Sequence, residues 1–237
     1  MKQRVLYRSG SLHKLTDEDR EKVHELGIKL ICDLRTPKER KGKADRLHKN
    51  SNTRIVSIPI YHLGYKIDPG RLRKYWWLLT TGLKNFDYIQ FMKEYYSRIA
   101  FNHPNEIRKV LALIADEKNL PALIHCSGGK DRTGWLAAVL QLLLGVSMDL
   151  VYDDYILTNK HLEFELYESG ISIILFNLFN MNLKDFQPLI ELRIEYLQVT
   201  LDMVFSKYRT IETYLLEGCG ISLDIINRLK KFLTADP

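Results

Sequence analysis

The 237 residues are 46% hydrophobic and 27% charged, with 35 Lys and Arg against 29 Asp and Glu for a formal net charge of +6. These are globular proportions, and the length accommodates one substantial domain with insertions, read here as residues 1–237. No apolar run is long enough to cross a bilayer, the start at Met1-Lys2-Gln3-Arg4 lacks the apolar stretch of a cleavable signal, and the three cysteines, Cys32, Cys126 and Cys219, fit neither a zinc pattern nor a disulfide framework.

In chain order, Val5-Leu6-Tyr7 predicts a short first strand. Thr16-Asp17-Glu18-Asp19 starts a helix with a capping residue and an acidic first turn, ending at Gly27. Ile28 to Leu34 is an apolar, β-branched run and predicts a buried strand; Ile55 to Ile60 predicts another. Pro104 to Glu117 predicts a helix with Ile107, Val110, Leu111 and Ile114 on one face. A strand from Ala122 and a helix from Trp135 to Leu144 follow, then a helix over Met148–Thr158 capped by Ser147. Leu189 to Tyr208 and Ser222 to Leu233 predict the last two helices. Strands alternating with helices predict an α/β fold with a mostly parallel sheet flanked by helices.

Two segments read as additions to that core, spanning roughly 64–96 and 160–188. Tyr75-Trp76-Trp77-Leu78-Leu79 stands among basic residues and suits helix packing, a phosphate-cleft rim or a membrane interface. Ile171 to Phe179 is apolar but too short to span a bilayer; it fits a lid, a substrate-binding wall, a membrane-touching patch or a core helix.

The chemistry concentrates in residues 125–133, His125-Cys126-Ser127-Gly128-Gly129-Lys130-Asp131-Arg132-Thr133. A strand, a glycine-containing loop and a helix N-terminus in succession aim backbone N–H groups and the positive helix end at one point. An anion fits there, and so does a thiolate nucleophile at Cys126. Arg132 has a planar fork that matches two phosphate oxygens. Ser127, Gly128, Gly129, Lys130 and Thr133 complete the expected phosphate cradle, with Thr133 placed to bond the sulfur and His125 to brace the loop. A leaving oxygen needs a proton, so a carboxylic acid is expected nearby. Asp131 in the loop, Asp33 at a strand end and Asp68 in a loop are the candidates. Lys130 suits either a second phosphate or a carboxylate partner. Cys32 reads as a buried strand residue, or as a partner for Cys126 on oxidation.

This string resembles the Cys-x5-Arg signature of the tyrosine and dual-specificity phosphatases, and its Gly-Lys-Asp-Arg-Thr form resembles an atypical bacterial and fungal group acting on phosphotyrosine and often on phosphoinositides. Tyr7-Arg8-Ser9-Gly10-Ser11, Ile31 to Glu39 and Tyr208 to Ser222 are similar to other segments of that group. The resemblance implies the cysteine-phosphatase fold, hydrolysis through a phosphocysteine, Cys126, Asp131 and Arg132 as the catalytic residues, and a helical lid near the second addition. No Trp-Pro-Asp tripeptide is present. The resemblance favours Asp131 as the acid, and neither cofactor nor metal is expected.

The basic clusters Lys38 to Lys49 and Lys66 to Lys74 are either solvated faces or surfaces for acidic partners. The expected partners are a phosphorylated protein or phosphoinositide, with peripheral contact to anionic membrane; no nucleic-acid reading motif accompanies the charge. A reducing, cytoplasmic setting suits a catalytic thiolate, although export without a cleavable signal leaves no mark in sequence. The competing readings are a phosphate-binding module without turnover and a sulfur transferase.

Overall fold

The computed structural model describes residues 1–61, 87–162, 188 and 191–234. Strands β1 (Leu6–Ser9), β2 (Leu30–Asp33), β3 (Arg54–Ser57) and β4 (Ala122–His125) form one sheet in the order β1-β4-β2-β3. Every pairing is parallel, with Ala122 beside both Leu6 and Leu30, and Leu30 beside Arg54. Parallel neighbours need crossover connections, and helices supply them. The two inner strands, β2 and β4, are buried along their whole length, as their unbroken apolar runs require.

Side chains alternate across the sheet. Leu30, Cys32, Ala122 and Ile124 face the larger core, while Ile31 and Leu123 face a smaller one with Leu12 and Ile28. The larger core is covered by helices α3 (Tyr88–Asn102), α4 (Pro104–Ile114), α5 (Asp131–Leu143), α6 (Met148–Leu157), α7 (Ile194–Tyr208) and α8 (Leu223–Leu233). The smaller core includes Val23 of α1 (Asp17–Glu25). A single turn, α2 (Pro37–Arg40), follows β2. Among the described residues no helix is long and apolar enough to cross a membrane.

Local signals hold where the chain closes its own hydrogen bonds. The Thr16 side chain accepts from the Asp19 N–H, and the Asp19 carboxylate accepts from the Thr16 N–H, a reciprocal cap on α1. Ser222 caps α8 through the Ile225 N–H. Ser147 precedes α6 but makes no side-chain cap bond.

Boundaries shift where tertiary contacts intervene. Helix α5 starts at Asp131 instead of Trp135, because its first turn is made from the loop residues themselves. It is buried around its circumference, so amphipathic periodicity carries no signal there. Helix α7 starts at Ile194 instead of Leu189; Asn159 brackets Leu192, donating to its carbonyl and accepting from its N–H. Residues 88–96, the end of the first addition, belong to α3, where Met92, Tyr95 and Tyr96 are buried in the larger core. Tyr75-Trp76-Trp77, Asp68, the cluster Lys66 to Lys74 and the apolar segment Ile171–Phe179 lie outside the described residues.

Candidate active site

Strand β4 ends at His125 and α5 starts at Asp131, so residues Cys126 to Lys130 form the connecting loop. Its position is set by backbone bonds from neighbouring elements: Ser11 N–H to Ser127 O, Leu34 N–H to His125 O, and Gly134 N–H to Lys130 O, each 2.9 Å. Among the described residues, none of the backbone N–H groups of Ser127 to Lys130 donates to a backbone carbonyl. Backbone N–H groups at a helix start can form an anion cradle. Gly129 has φ +68°, and a Cβ on it would lie 2.5 Å from the carbonyl oxygen of Ser9. The glycine is thus required by the backbone of the segment after β1. A Cβ on Gly128 would meet nothing within 4 Å.

The alternation of β4 sorts the site. Cys126 continues the parity of Ala122 and Ile124 and faces the larger core, only 2% exposed. His125 takes the opposite face, where its Nδ1 lies 3.1 Å from the carbonyl oxygen of Cys126. Its Nε2 is 3.3 Å from Asp45 and 3.9 Å from Asp33.

Asp33 is therefore on the face of the sheet opposite Cys126. Both its oxygens accept from Arg35, Oδ1 from Nε and Oδ2 from Nη2 at 2.9 Å each. Arg35 also donates to Asp45 at 2.7 Å and to the carbonyl of Lys43 at 2.9 Å. Asp33, Asp45 and His125 converge in a way that suits a cation, and the guanidinium of Arg35 already bridges the two carboxylates. This buried cluster ties β2, the loop carrying Asp45 and β4 together behind the cysteine.

Arg132, in the first turn of α5, is 4% exposed. Its Nη1 and Nη2 donate to Glu39 Oε2 and Oε1 at 2.9 and 2.6 Å, and Nη1 also reaches the Leu34 carbonyl at 3.2 Å. Among the described residues its buried Nε has no hydrogen-bond partner. One edge of the guanidinium is held by protein while Nε remains to donate. Burial opposes the charge, but the bonds to Glu39 and the neighbouring Cys126 raise the Arg132 pKa above its usual value. Glu39 also accepts from the Ser127 hydroxyl at 2.7 Å. Its backbone is fixed by a capping box on α2, in which Thr36 and Glu39 satisfy each other's N–H groups.

Asp131 is the first residue of α5. Its Oδ1 accepts from the Tyr96 hydroxyl at 2.9 Å, and Lys130 Nζ is 4.0 Å from its Oδ2. Burial pushes the Asp131 carboxyl above the usual carboxylate range, against the opposing pull of Lys130, the Tyr96 hydroxyl and Arg132. The shift favours the proton-carrying form relative to an exposed carboxyl. Thr133 is fully buried, and among the described residues its hydroxyl has no hydrogen-bond partner. Cys32 is buried in β2, and burial pushes its thiol up to about 12. It remains protonated, as the strand-residue reading expects, and is a poor partner for thiol chemistry.

The residues expected from sequence, Cys126 to Thr133, are brought together by one loop and one helix turn. Sequence reading missed Glu39, Asp45, Tyr96 and Tyr155. Glu39 had a signal, since Thr36-x-x-Glu39 is a capping-box pattern, but that pattern predicts a helix start and not a grip on Arg132. Asp45 stands inside a basic run, and the two tyrosines inside helices, with nothing local to distinguish them.

The tyrosine phosphatase family model matches residues 1–235. A tyrosine-protein phosphatase of Nostoc commune is 30% identical over 156 residues, covering 66% of this chain and 49% of that protein. The match thus spans about half the length of that relative. The triple specificity protein phosphatase PtpB of Mycobacterium tuberculosis is 23% identical over 254 residues, 96% of this chain and 90% of that protein. The inositol diphosphatase DSP2 of Oryza sativa subsp. japonica is 44% identical over 55 residues, 23% of this chain and 27% of that protein.

Proposed function

The chain belongs to the tyrosine phosphatase family, and from that premise we propose that it hydrolyses phosphate monoesters through a phosphocysteine on Cys126. The observation that carries the reading is the Arg132 guanidinium, held along one edge by Glu39 with Nε unpartnered, above a loop whose N–H groups make no backbone bonds among the described residues. In this reading the phosphate binds those N–H groups and Arg132. The Cys126 thiolate attacks phosphorus in line as the P–O ester bond breaks. The proton of the Asp131 carboxyl goes to the leaving oxygen. In the second step the Asp131 carboxylate takes a proton from water, whose oxygen attacks phosphorus. The S–P bond breaks, with the Thr133 hydroxyl donating to the departing thiolate.

Phosphotyrosine on a protein is the proposed first substrate class. The recessed thiol favours an ester that projects its phosphate on a long, flat stem. Phosphoserine, phosphothreonine and phosphoinositide remain second classes within the same chemistry. The relatives named as a triple specificity protein phosphatase and an inositol diphosphatase support keeping them. Lys130 beside the acid supplies a further cation for a ring bearing more than one phosphate.

The test is phosphate release from a phosphotyrosine peptide, a phosphoserine peptide and the phosphatidylinositol monophosphates, with Cys126→Ser as the blank. Turnover that disappears in the blank supports cysteine catalysis, and the rank order assigns the class. Binding of inorganic phosphate with no turnover of any ester would replace the enzyme by a phosphate-binding module.

A further inference from the structure

We propose that Tyr96 is a positioning residue that confines the transferable proton of Asp131 to Oδ2, with Tyr155 holding the Tyr96 hydroxyl in place; the inference rests on Asp131 being the general acid. The three side chains come from three helices, α3, α5 and α6, and form a one-way chain. Tyr155 Oη donates to Tyr96 Oη at 2.7 Å, and Tyr96 Oη donates to Asp131 Oδ1 at 2.9 Å. A phenol has one proton. Because Tyr96 accepts from Tyr155, its own proton is directed to Oδ1. That oxygen is then an acceptor in either charge state, and the acidic proton sits on Oδ2, toward Lys130.

The rings are fixed as well as the hydroxyls. Tyr96 is fully buried and Tyr155 1% exposed, and they meet edge to face at 6.1 Å and 83°. The Tyr155 ring packs on α5 at Gly134, where a Cβ would lie in ordinary contact 3.4 Å from it. Burial pushes both phenols far above their usual range, so neither gives up its proton while the enzyme works. Among the described residues, Lys130 and Arg132 from the loop and α5, Tyr96 and Tyr95 from α3, Tyr155 from α6 and Tyr196 from α7 are titratable or charged groups that act on Asp131. Of these, Tyr96 makes the side-chain hydrogen bond. Without it Oδ1 loses the donor that keeps it an acceptor, and the carboxyl is free to turn its proton away from the cradle.

The experiment compares kcat/KM for phenyl phosphate and 4-nitrophenyl phosphate, across pH, in the wild type, Asp131→Asn, Tyr96→Phe and Tyr155→Phe. Phenoxide is a poor leaving group and needs the proton; 4-nitrophenoxide needs it far less. Asp131→Asn is expected to lose much more on phenyl phosphate. Tyr96→Phe should lose about tenfold on phenyl phosphate and less than about twofold on the nitro ester. Its basic limb should move to higher pH, because the lost bond stabilised the carboxylate. Tyr155→Phe should move both readouts the same way by less. Equal losses on both esters, or an unmoved basic limb, in Tyr96→Phe overturn the inference while Asp131→Asn keeps its steep dependence. An Asp131→Asn enzyme no steeper than wild type overturns the acid assignment itself. Should Tyr96→Phe lack a cooperative unfolding transition, Tyr155→Phe decides: a shift in the same direction supports the chain, and no shift overturns it.

Discussion

The carboxylate of Glu39 and the guanidinium of Arg132 meet edge to edge, Oε2 to Nη1 at 2.9 Å and Oε1 to Nη2 at 2.6 Å. Two residues 93 positions apart thus behave as one unit, with the glutamate anchored by its cap on α2 and the arginine by α5. Glu39→Gln keeps the shape but removes the charge and one acceptor. On the proposed reading, kcat/KM should fall by about 10–100-fold, from a fork no longer held in register with the phosphate. Stability should fall by about 2 kcal/mol, a central value for hydrogen bonds to charged groups. Kinetics on 4-nitrophenyl phosphate and urea unfolding measure the two. An unchanged kcat/KM would show that Arg132 orients itself.

The two loop glycines should behave differently. Gly129→Ala places a methyl group against the Ser9 backbone at a positive φ, so the loop has to move. A cost of about 2 kcal/mol or more and loss of turnover are expected. Gly128→Ala meets no atom of the described residues, so its unfolding midpoint should match wild type, with any penalty in KM. Thermal unfolding and steady-state kinetics of both variants check the contrast.

Asp131 sets activity against stability. Its carboxyl pKa is raised by burial, so the charge is unfavourable in the folded state at neutral pH. For a raised pKa, the native state is favoured below the unfolded value and loses that advantage as pH rises through the folded value. Asp131→Asn keeps the acceptor for Tyr96 and removes the buried charge. It should raise the Tm near pH 7.5, and the gain should vanish at pH values well below 3.8, where the wild-type carboxyl is neutral in both states. A calorimetric pH series on the two proteins tests this.

Asp45 has the opposite sign. Burial opposes its charge, but His125, Arg35 and the Leu12 N–H hold its carboxyl below the usual range. Its contribution is therefore present above the unfolded value of about 3.8 and is lost as pH falls through the folded value. Asp45→Asn leaves Arg35 with the buried Asp33 carboxylate and removes the carboxylate beside His125. The expected cost is about 1.5–3 kcal/mol at pH 7, shrinking toward acid pH. Denaturant melts at pH 7 and pH 3 provide the comparison.

How far the sequence reaches can be judged from individual residues. Cys126 to Thr133 could be read directly because the nucleophile, the cradle and the proposed acid share one loop and helix turn. Asp33 stood in sequence as the second candidate acid or as a partner of Arg35, and only the fold separates the two. A strand end points toward the ligand crevice, but alternate residues point to opposite faces, and Asp33 shares its face with His125 and not with Cys126. The start of α5 was placed too late because a helix buried on all sides has no amphipathic period to mark it.

Local grammar thus belonged to the sequence: the apolar runs that became β2 and β4, the caps at Thr16 and Ser222, and the contiguous Cys-x5-Arg loop. Each of these signals lies in residues within a few positions of one another. The tertiary structure decided which distant groups complete the site. Glu39 reaches Arg132 because the turn of α2 follows β2, and β2 lies beside β4. Tyr96 reaches Asp131 because α3 packs against α5 in a shared core. Such meetings depend on parallel pairing and close packing over many residues, and no spacing within one segment encodes them.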